Sequence, residues 1–187
     1  MRRLFVIKLY EAIYLEWRYT MDKKERKNKK PAVNAVELLM KDHEIVRDLL
    51  NKLEKATEKS GRRQQLFEKI KQELKIHTQI EEEIFYPAYI DAVKKKDDRK
   101  LYFEAIEEHH VVDMVIPEIA QTDPTTEMFA AKAKVLKDIV EHHAEEEEIE
   151  MFPVALEVMS DEELEELGAR LQERKDELKK EMAKINI

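Results

Sequence analysis

His143-Ala144-Glu145-Glu146-Glu147-Glu148-Ile149-Glu150-Met151-Phe152-Pro153 is the stretch whose reading decides the fold. Nothing in it breaks a helix before the proline. A helix of 3.6 residues per turn sets His143 and Glu147, four apart, on one face one turn from each other. The same pattern stands 66 residues earlier as His77-Thr78-Gln79-Ile80-Glu81, running on to Phe85-Tyr86-Pro87. In both copies the proline follows the histidine by ten residues. The offset also lays Asp42-His43-Glu44-Ile45-Val46 on Glu108-His109-His110-Val111-Val112. Each is an acid, a histidine and then apolar residues in the same phase. The chain thus carries two copies of a helix pair, each with one bare histidine and one His-x-x-x-Glu.

Composition narrows the chemistry. The 187 residues include 2 glycines and 5 prolines, with Glu, Lys, Leu and Ala recurring, which is a helical composition. That length suits one well-packed domain. Charged residues make up 41%, as on a solvated long-helix surface. A net charge of −8 argues against nucleic-acid binding, which needs a basic face. Without cysteine there is no disulfide, thiolate metal site or cysteine nucleophile, so the chemistry falls to His, Asp, Glu and Tyr.

Along the chain, residues 1–30 read as an N-terminal extension and basic linker. Lys8, Glu11, Glu16 and Arg18 interrupt its apolar block, which excludes a membrane span and a signal peptide and leaves a helix that packs on the body or on a partner. Residues 31–158 form the bundle. Asn34-Ala35-Val36-Glu37 reads as a capping box that starts the first helix, and Ser60-Gly61 as its end. The second helix runs from about Arg62 past Tyr89, with Pro87 expected to kink or end it. The third covers roughly Asp98 to Ile116, closed by Pro117, and Asp123-Pro124 caps the fourth. Short connections make an all-α, up-down-up-down antiparallel four-helix bundle. Residues 159–187 are a further amphipathic helix behind the capping box Ser160-Asp161-Glu162-Glu163. Its Leu164, Leu171, Leu178 and Ile185, spaced by seven, form a seam against the bundle or a neighbouring chain. The N- and C-terminal helices are thus the surfaces through which a homodimer would form.

The inward faces collect His43, His77, Glu81, His109, His143 and Glu147 among apolar neighbours. A lone histidine there would be a satisfied core residue. Four histidines and two carboxylates at matched levels would leave two buried negative charges unneutralised without an ion. Two metals held by the imidazoles and bridged by Glu81 and Glu147 remove that difficulty. Carboxylate bridges favour hard ions such as iron or manganese, with zinc as a substitute. His110 and His142 fall out of phase and read as surface or outer residues. The glutamates around them, Glu82, Glu83, Glu145, Glu146 and Glu148, read as a solvated acidic face, some of which accept the second N–H of a ligand histidine.

From about Val33 to Val158 the chain resembles the hemerythrin-like family with the HHE cation-binding domain. The resemblance rests on Asp42-His43, His77-x-x-x-Glu81 through Tyr86-Pro87, Glu108-His109, and His143-x-x-x-Glu147 through Phe152-Pro153. It implies two non-haem iron ions and a small ligand, dioxygen, peroxide or nitric oxide, in a cytoplasmic protein. Oxygen-carrying hemerythrins have a fifth histidine four residues after the third-helix histidine, where this chain has Asp113. As a ligand, Asp113 would harden the site towards oxidant activation; the other copy has Arg47 there, so the position need not be a ligand. Three readings follow: a di-iron protein for sensing, storage or detoxification; an iron-storage, iron-sensing or metal-stabilised interaction module; and a di-iron peroxidase or ferroxidase.

Overall fold

The computed structural model describes residues 33–57 and 61–185, with side chains through 184. The readings for residues 1–32, Ser60 and the Ile185 side chain lie outside these. All the secondary structure among the described residues is helical. Helix α1 spans Ala35–Glu54. Helix α2 (Arg62–Ile80) runs through a π-helical segment (Glu81–Phe85) into α3 (Tyr86–Ala92). Helix α4 spans Lys96–Ala120. Helix α5 (Glu127–Glu146) likewise runs through a π-helical segment (Glu147–Met151) into α6 (Phe152–Val158), and α7 is Asp161–Ile185. The four long rods pack antiparallel, α1 against α2 and α5, and α4 against α5, while α7 lies across α1 and α2.

Local chemistry explains most boundaries. The Asn34 side chain accepts from the Val36 N–H at 2.9 Å and opens α1. The Ser160 hydroxyl accepts from the Glu163 N–H, and the Glu163 carboxylate from the Ser160 N–H, closing the capping box before α7. Three expectations need correction. Gly61 does adopt φ +60°, but directly ahead of α2; α1 has already ended at Glu54. Pro117 lies inside α4, whose final turn closes around it at Gln121, because so near a helix end a missing N–H costs one bond. Asp123 organises a turn by accepting from the Thr125 N–H, and Thr126 is the residue that caps α5.

The prolines at 87 and 153 neither end nor sharply break their helices. In an α-helix each would face a carbonyl four residues back without an N–H to offer it, and its ring would press on that carbonyl. The π-helical segments resolve this by inserting one residue: the Tyr86 N–H donates to the Glu81 carbonyl, and the Phe152 N–H to that of Glu147. The insertion shifts the helical phase. Glu81, Phe85, Tyr86 and Tyr89 therefore all point inward, as do Glu147, Met151, Phe152 and Ala155.

Two apolar clusters flank the buried histidines. One joins Leu38, Leu39, Ile76, Ile80, Phe85, Tyr86 and Phe152 to Leu164, Leu167, Leu171 and Leu178 of α7. The other joins Val46, Leu50, Phe67, Ile70, Phe129 and Leu136 at the far end of the bundle. The leucine seam of α7 is thus spent on its own bundle. Gly168 permits that contact: a Cβ there would collide with the Val33 carbonyl and come within 2.9 Å of the Ala35 amide nitrogen.

Gly168→Ala should therefore cost about 1–3 kcal/mol by urea denaturation, because the obstacle is backbone that cannot step aside. Gly61→Ala meets no atom within 4 Å and should cost only about 1 kcal/mol for the left-handed turn.

Candidate metal centre

All six sequence-predicted ligands converge at the middle of the bundle. His43 comes from α1, His77 from α2, His109 from α4 and His143 from α5, while Glu81 and Glu147 begin the two π-helical segments. None is more than 6% exposed. Their inward ring nitrogens pair off, His43 Nε2 with His77 Nε2 at 3.0 Å and His109 Nε2 with His143 Nε2 at 3.1 Å. Two nitrogens about 2.1 Å from one ion at a right angle would stand about 3 Å apart, so each pair has the spacing of two ligands on a common ion.

The carboxylates link the two pairs. Glu81 places Oε1 3.2 Å from His77 Nε2 and Oε2 3.4 Å from His109 Nε2. Glu147 Oε2 lies 3.1 Å from His43 Nε2 and 3.6 Å from His143 Nε2. Both Glu81 oxygens and Glu147 Oε2 are buried without a hydrogen-bond partner. Buried carboxylate oxygens left in this state are costly, and cations between the histidine pairs would satisfy them. The residues therefore fit a pair of metal ions.

The outer ring nitrogens obey the 66-residue repeat. His43 Nδ1 meets Glu148 at 2.8 Å, and its counterpart His109 meets Glu82, the counterpart of Glu148, at 2.9 Å. His143 Nδ1 meets Glu108 at 2.8 Å, while His77 Nδ1 faces the corresponding Asp42 at 3.9 Å. Each acid can accept an Nδ1–H and so turn Nε2 towards the interior as the free donor to an ion. Phe152 stacks on His43, and Tyr86 stacks on His109, again one residue per copy.

Three features are not duplicated. Tyr86 donates its hydroxyl to Glu147 Oε1 at 2.8 Å and lies 3.3 Å from His109 Nε2; its counterpart is Phe152, which has no hydroxyl. Arg47 clamps Glu148 through two nitrogens, at 2.7 and 3.1 Å. Lys175 of α7 is buried in an ion pair with Asp42. Asp113 is exposed and outside the cluster, so geometry gives it no ligand role. The position four residues after the bare histidine holds an outer carboxylate in one copy, through Arg47, and faces solvent in the other. His110 and His142 are exposed, as their phase predicts. The roles of Asp42, Glu82, Glu108 and Glu148 as paired outer acceptors are readable from the offset, whereas nothing local in sequence marks Tyr86 or Lys175.

Without an ion the cluster must hold protons. Burial pushes His77 down to about 4, so that its ring is neutral. Burial acts the same way on His43, but the nearby Glu147 and Glu148 carboxylates outweigh it and hold the ring up at about 9. Burial and the neighbouring Glu147 charge push Glu81 well above the carboxylate range. Burial also acts to raise Glu147, yet the His143 and His43 charges draw it down. Two carboxylates this close cannot both ionise against so few cations.

This arrangement fixes the sign of a pH effect. From pH 6.5 to 9 the folded metal-free chain keeps the His43 proton that the unfolded chain gives up, and a raised Glu81 acts in the same direction. Stability of the metal-free protein should fall by about 1–3 kcal/mol across that window, read as a drop in urea midpoint. A midpoint that stays level or rises would contradict the assignment.

The sequence profile described as Hemerythrin HHE cation binding domain matches residues 34–155. An uncharacterised protein of Mycobacterium tuberculosis, Rv2633c, is 30% identical over 148 residues, covering 79% of this chain and 88% of that protein. A DNA nickase of Nostoc is 24% identical over 153 residues, covering 82% of this chain but only 42% of the nickase. The crystal structure of a hemerythrin HHE cation-binding-domain protein from Mycobacterium kansasii, described as an Rv2633c homolog, superposes with a TM-score of 0.69 at 33% identity, over 78% of this chain and 87% of that one. With a buried His/Glu cluster that could hold metal at the position the repeat predicts, the chain belongs to the hemerythrin HHE cation-binding domain family.

Proposed function

We propose that this protein holds a non-haem di-iron centre and uses it to bind a small oxidant, dioxygen, peroxide or nitric oxide, for sensing, storage or detoxification. The observation that carries the reading is the joining of two imidazole pairs by two buried carboxylates whose oxygens lack protein partners. A single structural ion would leave half of this set unused. In the absence of thiolates, imidazoles with bridging carboxylates suit a pair of hard ions. Iron bound there supplies redox-active Lewis acids at which a small oxidant can coordinate.

The chain's residues prepare the site in three ways. His43, His77, His109 and His143 present Nε2 inward, because outer carboxylates occupy or face their Nδ1 atoms. Tyr86, kept protonated by burial and by the nearby Glu147 charge, holds one oxygen of Glu147. That leaves Glu147 one oxygen towards the histidines and Glu81 two. Beside the four histidines lies a cavity of about 20 Å³ walled by Val46, Leu74, Val112, Val140 and Ala144, with Thr78 and the stem of Arg47, whose guanidinium is held on Glu148. It has room for one water-sized molecule, and its apolar wall favours an uncharged diatomic over an anion.

A reading as a metal-dependent interaction module has one observation in its favour. Lys175 ties α7 to Asp42, which faces His77, so a change at the centre has a direct contact with the C-terminal helix. The peroxidase or ferroxidase reading loses the residue that distinguished it, since Asp113 is exposed.

Protein produced with iron should contain two iron ions per chain and show a near-ultraviolet band in air that bleaches under reductant. Absence of both would sink the proposal, and two tightly held zinc ions indifferent to oxygen would favour the module reading. His77→Ala or His143→Ala should lower metal content by about one ion per chain, whereas His110→Ala should leave it unchanged. Glu148→Ala should weaken metal binding by about 10–100-fold, measured by competition with a chelator, through loss of the acceptor on His43.

A further inference from the structure

The two copies of the repeat differ on their outer faces. In the first copy, Leu38, Asp42, Ile76 and Ile80 are buried, with α7 packed across α1 and α2 and Lys175 supplying a cation to Asp42. Moved on by 66, these positions are Glu104, Glu108, His142 and Glu146. The three apolar positions of the floor that seats α7 have become an imidazole and two carboxylates, and the acid remains an acid.

Three of these groups converge. His142 Nε2 lies 3.6 Å from Glu108 Oε1 and 3.4 Å from Glu146 Oε1. Ligand atoms from all three lie within 4.8 Å of one another. Glu104 is taken by Lys100 at 2.6 Å. Among the described residues, no ion pair joins Glu108 or Glu146 to a lysine or arginine; Lys100, bound to Glu104, acts on Glu146 only from a longer distance, so the direct charge that Lys175 supplies in the first copy has no direct counterpart in the second.

The cluster is also connected inward. Glu108 uses Oε1 towards His142 and Oε2 to hold His143 Nδ1 at 2.8 Å. A cavity of about 10 Å³ lies behind it, lined by Glu108 and Glu146 and, deeper, by His143 and Glu147 together with Leu101, Ala105 and Met151. That is room for about one water or small ion. Of these wall residues, Glu147 belongs to the buried centre, where its unpartnered Oε2 faces His43 and His143.

We propose that Glu108, His142 and Glu146 form an outer divalent-cation site through which the buried centre is loaded. One imidazole and two carboxylates suit a first-row divalent ion such as Fe(II) or Mn(II). The cation stands where the repeat places the ammonium of Lys175 in the other copy. From it, Glu108 and the cavity lead to His143 and Glu147. The loading role rests on the metal-centre reading above; the existence of the outer site does not.

Mn(II), added alone to the full chain, is the probe for the site, and anaerobic Fe(II) uptake the probe for its role. The double variant His142→Ala/Glu146→Gln should bind one Mn(II) fewer per chain than wild type by equilibrium dialysis. It should fill the centre at least about five-fold more slowly, to the same final occupancy of the centre. Circular dichroism should show the wild-type fold, because both side chains face outward, and His110→Ala should match wild type in both measurements. Unchanged Mn(II) stoichiometry would overturn the outer site, and lowered stoichiometry with an unchanged filling rate would overturn the loading role. His77→Ala/His143→Ala separates the two claims: it should lose inner ions and keep the outer Mn(II). A wild-type chain that holds only the outer Mn(II) would sink the centre and leave the outer site standing.

Discussion

Burial of two carboxylates at the waist of a helix bundle is the constraint on which the rest of this structure depends. Taking a carboxylate out of water costs several kcal/mol unless a cation or hydrogen-bond donors replace the solvent. Here the oxygens of Glu81 and one oxygen of Glu147 find no protein donor, while four imidazole nitrogens converge on them. Much of the surrounding architecture serves that arrangement. The π-helical segments set Glu81 and Glu147 inward while keeping the next turn of aromatic residues inward too. The outer acids aim the rings, and the two apolar clusters keep bulk water away.

The centre is built twice and then made unequal. Duplication supplies matched ligands, matched acceptors for the outer nitrogens and matched aromatic rings over His43 and His109. The departures all concern charge or a proton: Tyr86 opposite Phe152, Arg47 opposite Asp113, and Lys175 on Asp42 with no equivalent on Glu108. A symmetric pair of ions would thus sit in an unsymmetric field. One copy is roofed by α7, and the other turns a polar face to solvent.

Much of this is legible in the residues alone. The all-α bundle, the further C-terminal helix and the six inward candidate ligands follow from helical phase and one offset, because both are properties of a regular helix and survive packing. The choice of His109 over His110 and of His143 over His142 follows in the same way. Helix ends are less legible. Gly61, Pro117 and Asp123-Pro124 are each local signals with more than one satisfactory use, and tertiary packing chooses among them. Pro87 reads as a kink or stop, although an inserted residue lets its helix, like that of Pro153, continue past the proline.

By itself, then, the sequence determined which side chains share a helix face and which positions correspond across the repeat, since spacing along a helix is fixed by its backbone bonds. Only the tertiary structure decided what lies across from each face. It placed the Tyr86 hydroxyl on Glu147, brought Lys175 from 133 residues away to Asp42, and left Asp113 in solvent. Those contacts join helices whose relative rotation no local pattern encodes. They arise from packing two copies and an added helix around one buried charge cluster.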